Sequence, residues 1–298
     1  MQKMLTKGFG KKYFTKILFL LPAVMIYFLF LILPVFQSGY YSLYDYSGIA
    51  DSAKSFIGLN NYMQMVHDPA FGRDMLNMLK LIGISFLVHI PMAFGLALIV
   101  SKDRKGSNLF KTVFFIPTIL PVAAVSLMWV FIYNPNWGVL STLIRGIGFK
   151  NFNLDWLGNR SSAMYAVSLV NAWVSAGESM IIFSAGLSAI PAELNEAASI
   201  DGATRWKRLI YITIPLLKET FRMYFILLVT GALKAFNLIF VMTQGGPNGA
   251  TEVPTMMVYF NGFKFYNYGY ASAVAVFILV LGFLISFFIN KVIKTENN

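Results

Sequence analysis

The sequence contains no cysteine and only two histidines. Without cysteine there is no disulfide framework, no thiolate metal site and no cysteine nucleophile. Two histidines without a thiol make a structural zinc site improbable, and neither metal nor cofactor is expected. Charge is also scarce. Asp, Glu, Lys and Arg together make up 12% of 298 residues, and acids are the rarer sign, 13 against 24 bases. Soluble domains carry about 25% charged residues. What fills the chain is apolar: 57% hydrophobic residues and a mean hydropathy of +0.64. A water-soluble fold of this size cannot bury that much apolar surface. The composition excludes an ordinary soluble enzyme and a disordered chain, and points to a polytopic membrane protein.

A membrane helix needs about 20 mostly apolar residues. Six stretches qualify, at about 17–36, 78–100, 112–133, 163–187, 221–243 and 271–290. A basic head precedes the first, with Lys3, Lys7, Lys11, Lys12 and Lys16. The apolar run is too long for a signal peptide and no small-x-small cleavage site follows, so it reads as a retained first helix. Pro91, Pro117 and Pro121 fall inside spans, where each removes a backbone hydrogen bond and kinks the helix. The larger share of Lys and Arg lies in the head, around the second-to-third loop (Lys102, Arg104, Lys105, Lys111), in the fourth-to-fifth loop (Arg205, Lys207, Arg208, Lys218, Arg222) and in the tail (Lys291, Lys294). The positive-inside bias then puts both termini in the cytoplasm. The net charge of +11 is thus mostly topology, and nucleic acid drops out as a partner. The expected architecture is an all-α polytopic membrane protein with six transmembrane helices, forming a single domain over residues 1–298.

The loop between spans four and five, residues 190–218, is conspicuous. It reads as two short helices around a turn. Pro191 suits a first helical position. Glu193 and Glu196 lie in the early turns, where negative charge complements the helix dipole. Asp201-Gly202 is a turn signal, because Gly202 can take a left-handed conformation without Cβ strain. Pro215 is expected to end the second helix before span five. By physics alone the pair is either an amphipathic element lying on the membrane or a dock for a partner.

Glu196-Ala197-Ala198, then Asp201-Gly202-Ala203, then Ile212-x-Ile214-Pro215, resembles the EAA loop of binding-protein-dependent ABC importer permeases. A second stretch, Phe236-Asn237-Leu238-Ile239 on to Thr243-Gln244-Gly245-Gly246-Pro247 with Thr251, is similar to the signature of the carbohydrate-uptake class. Phe56 to Tyr62, Asp68-Pro69 with Phe71, and Tyr268-Gly269-Tyr270-Ala271 resemble that class too. Asn237 stands where aspartate is usual, and Glu219 where proline is common. The resemblance implies a permease subunit of a sugar importer in the bacterial cytoplasmic membrane. Its implied partners are a second homologous permease, two ATP-binding subunits and an extracytoplasmic solute-binding protein. The implied coupling residues are Glu196, Ala197, Ala198, Asp201, Gly202, Ala203 and Pro215. No G-x-x-x-x-G-K-[ST] phosphate loop occurs in the chain, and Gly8 and Gly10 before Lys11 do not fit its spacing. The subunit is therefore expected to be no enzyme and to take its energy from its partners.

Polar side chains inside spans are costly and tend to face the bundle or a cavity. Asn171, Ser175 and Glu178 fall at i, i+4 and i+7 on one face of span four, and Thr230, Lys234 and Asn237 fall likewise on span five. Ser85 and His89 share a face of span two. These stripes, with Trp173 as a possible stacking surface, are the expected substrate path, hydrogen-bonding sugar hydroxyls. Interhelical bonding that only holds the bundle is the plain alternative. Two rival functions stay open: an ion-coupled secondary transporter using Glu178, His89 or Lys234 as a proton relay, and an importer of the same architecture for a non-sugar cargo such as a polyol phosphate.

Overall fold

The structure, a computed structural model, describes residues 16–49, 51–101 and 106–293. Lys3, Lys7, Lys11 and Lys12 of the basic head, and Lys102, Arg104, Lys105 and Lys294, lie outside the described residues. Helices dominate, as they must where backbone polar groups have no water to bond. Among the described residues, four helices are long and apolar enough to span a membrane, or six if each of two bent pairs counts as one span. The chain divides into two compact units, residues 1–67 with 258–277, and residues 68–257 with 278–298.

In the first unit, α1 (Lys16–Tyr41) has none of its apolar window buried against protein. It runs beyond the expected end at 36. Two-residue strands β1 (Tyr44–Asp45) and β2 (Ser55–Phe56) pair antiparallel, followed by α2 (Asn60–His67). The Asn61 amide donates to the carbonyls of Ser42 and Tyr44, both at 2.9 Å. The Gly269 N–H donates to the Tyr46 carbonyl at 3.0 Å, and a Cβ at Gly269 would strike the Tyr44 carbonyl oxygen. Two of the motif-like segments, Phe56 to Tyr62 and Tyr268 to Ala271, therefore converge on β1 as architecture. The Tyr41 and Tyr46 rings stack at 5.0 Å, and Lys54 Nζ lies 4.9 and 4.5 Å from their centroids, a cation–π contact.

In the second unit, α3 (Pro69–Val100) begins nine residues before the expected start at 78. Asp68 caps it, accepting from Ala70 N–H at 2.8 Å, and Pro69 takes the first turn. Its polar first half escapes a hydropathy reading because Asp74 and Asn77 are buried against protein. Pro91 lacks an N–H and crowds the turn before it. There the helix widens into a π-helical turn, Ser85–His89. The third expected span is two helices, α4 (Ser107–Ile119) and α5 (Val122–Ile132), bent by 96°. Leu120, forced extended by the proline that follows it, has φ −66° and ψ 144°. After the short α6 (Val139–Gly146) comes α7 (Ala163–Ser188), whose apolar window is 56% buried, the highest share among the four unbroken spans. Small residues allow this. A Cβ at Gly177 would strike the Phe114 carbonyl oxygen and come within 2.7 Å of Phe115 Cα, so α4 and α7 touch backbone to backbone. Thr118 reinforces the contact by donating to the Val174 carbonyl at 2.7 Å.

The loop after α7 holds α8 (Ala192–Ile200) and α9, residues 205–216, the latter including a π-helical turn at Leu209–Thr213. Span five is α10 (Lys218–Leu233) and α11 (Asn237–Thr243), bent by 44°. No proline lies at this break. The Ala235 carbonyl freed there accepts from the Thr255 hydroxyl, which is how an irregular turn is tolerated at membrane depth. α12 (Pro254–Tyr259) and α13 (Tyr268–Val292) each contribute residues to both units.

Candidate functional site

Helices α3, α7 and α10 enclose a cavity of about 310 Å³. Asn171, Ser175, Glu178, Ser179 and Ile182 line it from α7, and Ser85 and His89 from α3. From α10 come Tyr224, Leu227, Leu228, Gly231 and Ala232. Two of the three expected polar stripes therefore meet here. His89 is 5% exposed. Its Nδ1 lies 3.1 Å from the Tyr224 hydroxyl and its Nε2 lies 3.1 Å from Ser179 Oγ. The Tyr224 hydroxyl also lies 3.3 Å from Nε2, and Ser179 donates to the Ser175 carbonyl at 3.0 Å. Each ring nitrogen thus has a hydroxyl within hydrogen-bond distance. Glu178, by contrast, is exposed and makes no ion pair with Lys234 among the described residues.

The third stripe does not join this lining. Thr230, Lys234 and Asn237 share a face only on a continuous helix, and the chain breaks between Leu233 and Asn237. Thr230 Oγ1 donates to the Ile226 carbonyl of its own helix at 2.7 Å. Lys234 and Asn237 are exposed. Trp173 packs edge-on against Trp129 with centroids 5.4 Å apart. Ser179 and Tyr224 escaped the sequence reading. Ser179 was legible as i+4 from Ser175; Tyr224 was a lone hydroxyl in an apolar run, and only the fold brings it to His89. Among the described residues, no three of His, Asp or Glu gather to hold a metal ion.

The loop after α7 is the opposite kind of surface. No residue of α8 is buried, and Glu196 is exposed. Pro191 precedes the helix instead of opening it, with φ −55° and ψ 132°. Gly202 has φ +76°. Its N–H reaches the Ser199 carbonyl at 3.2 Å, and the Ala203 N–H reaches the Ala198 carbonyl at 2.9 Å. This pair of bonds is a Schellman motif, and it explains the fixed distance from the Ala197-Ala198 pair to Gly202. A Cβ on Gly202 would meet nothing within 4 Å. Thr204 Oγ1 caps α9, accepting from the Lys207 N–H at 3.4 Å. Pro215 lies one residue before the end of α9, as expected: the helix stops at Leu216 and the next begins at Lys218.

The stretch from Thr243 to Thr251 closes on itself. The two threonine hydroxyls lie 2.7 Å apart, and Thr251 donates to the Gly246 carbonyl at 2.9 Å. The Asn77 amide donates to the carbonyls of Gly249 and Glu252, both at 2.9 Å. Arg73 bridges Asp74, at 3.0 Å, and Glu252. The stretch that follows Gly-Gly-Pro is thus anchored to the first half of α3 through Gly249 and Glu252.

Residues 89–295 match the family described as binding-protein-dependent transport system inner membrane component. A probable ABC transporter permease protein of Bacillus subtilis, YurN, is 35% identical over 280 residues, 93% of this chain and 95% of that protein. The trehalose/maltose transport system permease protein MalF of Thermococcus litoralis is 32% identical, covering 90% of each chain. The fold also matches the crystal structure of a bacterial ABC transporter involved in import of the acidic polysaccharide alginate. The TM-score is 0.84 at 23% identity, over 99% of this chain and 100% of that chain.

Proposed function

We propose, because the chain belongs to the family of binding-protein-dependent transport system inner membrane components, that it forms half of the membrane path of an ATP-driven sugar or oligosaccharide importer in a bacterial cytoplasmic membrane. A second homologous permease supplies the other half. Two ATP-binding subunits supply the energy, and an extracytoplasmic solute-binding protein delivers the cargo. The observation that carries this reading is the bare loop after α7. A helix of nine residues with none buried, ended by an ordered Schellman turn, suits a groove on a partner. Glu196, Ala197, Ala198, Asp201, Gly202, Ala203 and Pro215 form the docking segment. Sugar as the cargo is supported by the name of the relative at 32% identity, a trehalose/maltose permease. The cavity bounded by Asn171, Ser175 and Glu178 suits the hydroxyls of a sugar, whereas Trp173, Thr230, Lys234 and Asn237 lie outside its lining.

The test is reconstitution in liposomes, with the partner subunits and without them. Alone, the chain neither hydrolyses ATP nor accumulates sugar. With its partners it does both, and Gly202→Val uncouples them while membrane insertion stays normal. Uphill uptake by the chain alone under a proton gradient overturns this reading in favour of a secondary carrier. Unchanged transport-coupled ATP hydrolysis in Gly202→Val overturns the docking assignment.

A further inference from the structure

A second cavity, of about 370 Å³, lies where α3 and α7 end and the loop after α7 folds back. Its walls are of two kinds. Leu98, Leu187 and Leu209 make an apolar side, while Arg205, Arg208 and Asn195 make a polar one. Arg208 Nη1 donates to the Asn195 backbone carbonyl at 3.2 Å. That bond orients the guanidinium without neutralising it. Neither arginine makes an ion pair among the described residues. The two helix C-termini bring about half a negative charge each, against two guanidinium charges, so the described walls of the pocket stay cationic. An arginine fork matches phosphate oxygens in pairs. The apolar side is continuous with the ends of two membrane-spanning helices. A soluble anion has no use for it, whereas an acyl chain does.

We propose that this pocket binds the phosphate headgroup of an anionic phospholipid, with Arg205 and Arg208 on the phosphate and the leucines against the first acyl carbons. Basic pockets between transmembrane helices on the cytoplasmic side take such headgroups. The volume lies within the range of small-molecule sites. The bound lipid ties the loop to the bilayer from behind, on walls that exclude the docking residues Glu196 and Gly202, so it sets the loop's position instead of competing with a partner.

The experiment is native mass spectrometry of the purified full chain, released from detergent in an equimolar mixture of phosphatidylglycerol and phosphatidylcholine. The wild type retains phosphatidylglycerol preferentially. Removing both charges in Arg205→Gln/Arg208→Gln weakens retention roughly thirtyfold, from about fivefold for each arginine. Arg205→Lys/Arg208→Lys keeps part of it, and Lys218→Gln, on the same loop outside the pocket, changes nothing. If the double glutamine variant does not fold, Arg205→Gln alone, at an exposed position, gives the fivefold drop. Undiminished retention in the folded neutral variants overturns the proposal. So does full displacement of the lipid by millimolar inorganic phosphate, which assigns the pocket to a soluble anion. Loss of the ATP-binding subunit on co-purification, with lipid retention unchanged, also overturns it and places the arginines at that interface.

Discussion

Gly177 and Gly202 belong to two regions joined by one stretch of chain, and they are opposite in every physical respect. Around Gly177 the protein is finished. α4 touches α7 backbone to backbone, and the nearby polar groups His89, Ser179 and Tyr224 satisfy one another. Around Gly202 the protein is unfinished. The turn is ordered by its own two hydrogen bonds, yet nothing faces it and no neighbour on α8 is buried. The first region is held by close packing against another helix, whereas the second is held by its own local hydrogen bonds and leaves its surface open to another molecule. Substitutions should therefore cost stability in one place and coupling in the other.

The hardest test of that contrast is Gly177→Val. The new side chain has backbone on its path, and overpacking of this kind costs about 1–3 kcal/mol even where side chains alone must move. The expected outcome is loss of monodisperse protein in detergent by fluorescence-detected size exclusion, with transport lost in proportion. Next comes Tyr224→Phe, which removes the hydroxyl nearest His89 Nδ1 in a buried site. An unsatisfied buried acceptor costs about 1–3 kcal/mol, read as a lowered melting temperature. Tyr224→His, which keeps a hydrogen-bonding ring, should recover part of the loss.

Gly202→Ala should cost less, about 1–2 kcal/mol for a Cβ in the left-handed region, with expression near normal. Its transport-coupled ATP hydrolysis should nevertheless collapse. A melting temperature lowered as far as that of Gly177→Val would erase the distinction between the two regions. The smallest effect belongs to Glu178→Gln. The side chain is exposed and makes no ion pair with Lys234, so stability should stay within about 0.5 kcal/mol. A double-mutant cycle with Lys234→Gln should show no coupling in expression, while uptake falls moderately. A measurable coupling in melting temperature would mean that the two charges meet after all.

Much of the loop was legible because its physics is local. A Schellman turn spans six residues, and the Ala-Ala and Asp-Gly spacing that builds it is written within that window. The α7 stripe was legible too, since Asn171, Ser175 and Glu178 lie on an unbroken helix where spacing alone assigns a face. The stripe over Thr230, Lys234 and Asn237 was misread for the same reason inverted. Periodicity presumes continuity, and the 44° break after Leu233 carries no proline to announce it. Pro215 was legible as a terminator, since α9 stops one residue beyond it. The start of α3 was hidden because hydropathy treats Asp74 and Asn77 as solvent-exposed, although both are buried.

By itself, then, the sequence determined the class of molecule, the number of apolar stretches, the exposed loop and its turn, all of which follow from composition and from interactions a few residues long. Only the tertiary structure decided that His89 lies between Ser179 and Tyr224, that Asn77 and Arg73 clamp Gly249 and Glu252, and that Arg205 and Arg208 share a pocket with the ends of two spans. Those arrangements join residues distant along the chain, and their geometry is set by helix packing and by bends whose hydrogen bonds are completed from other elements, which no local pattern records.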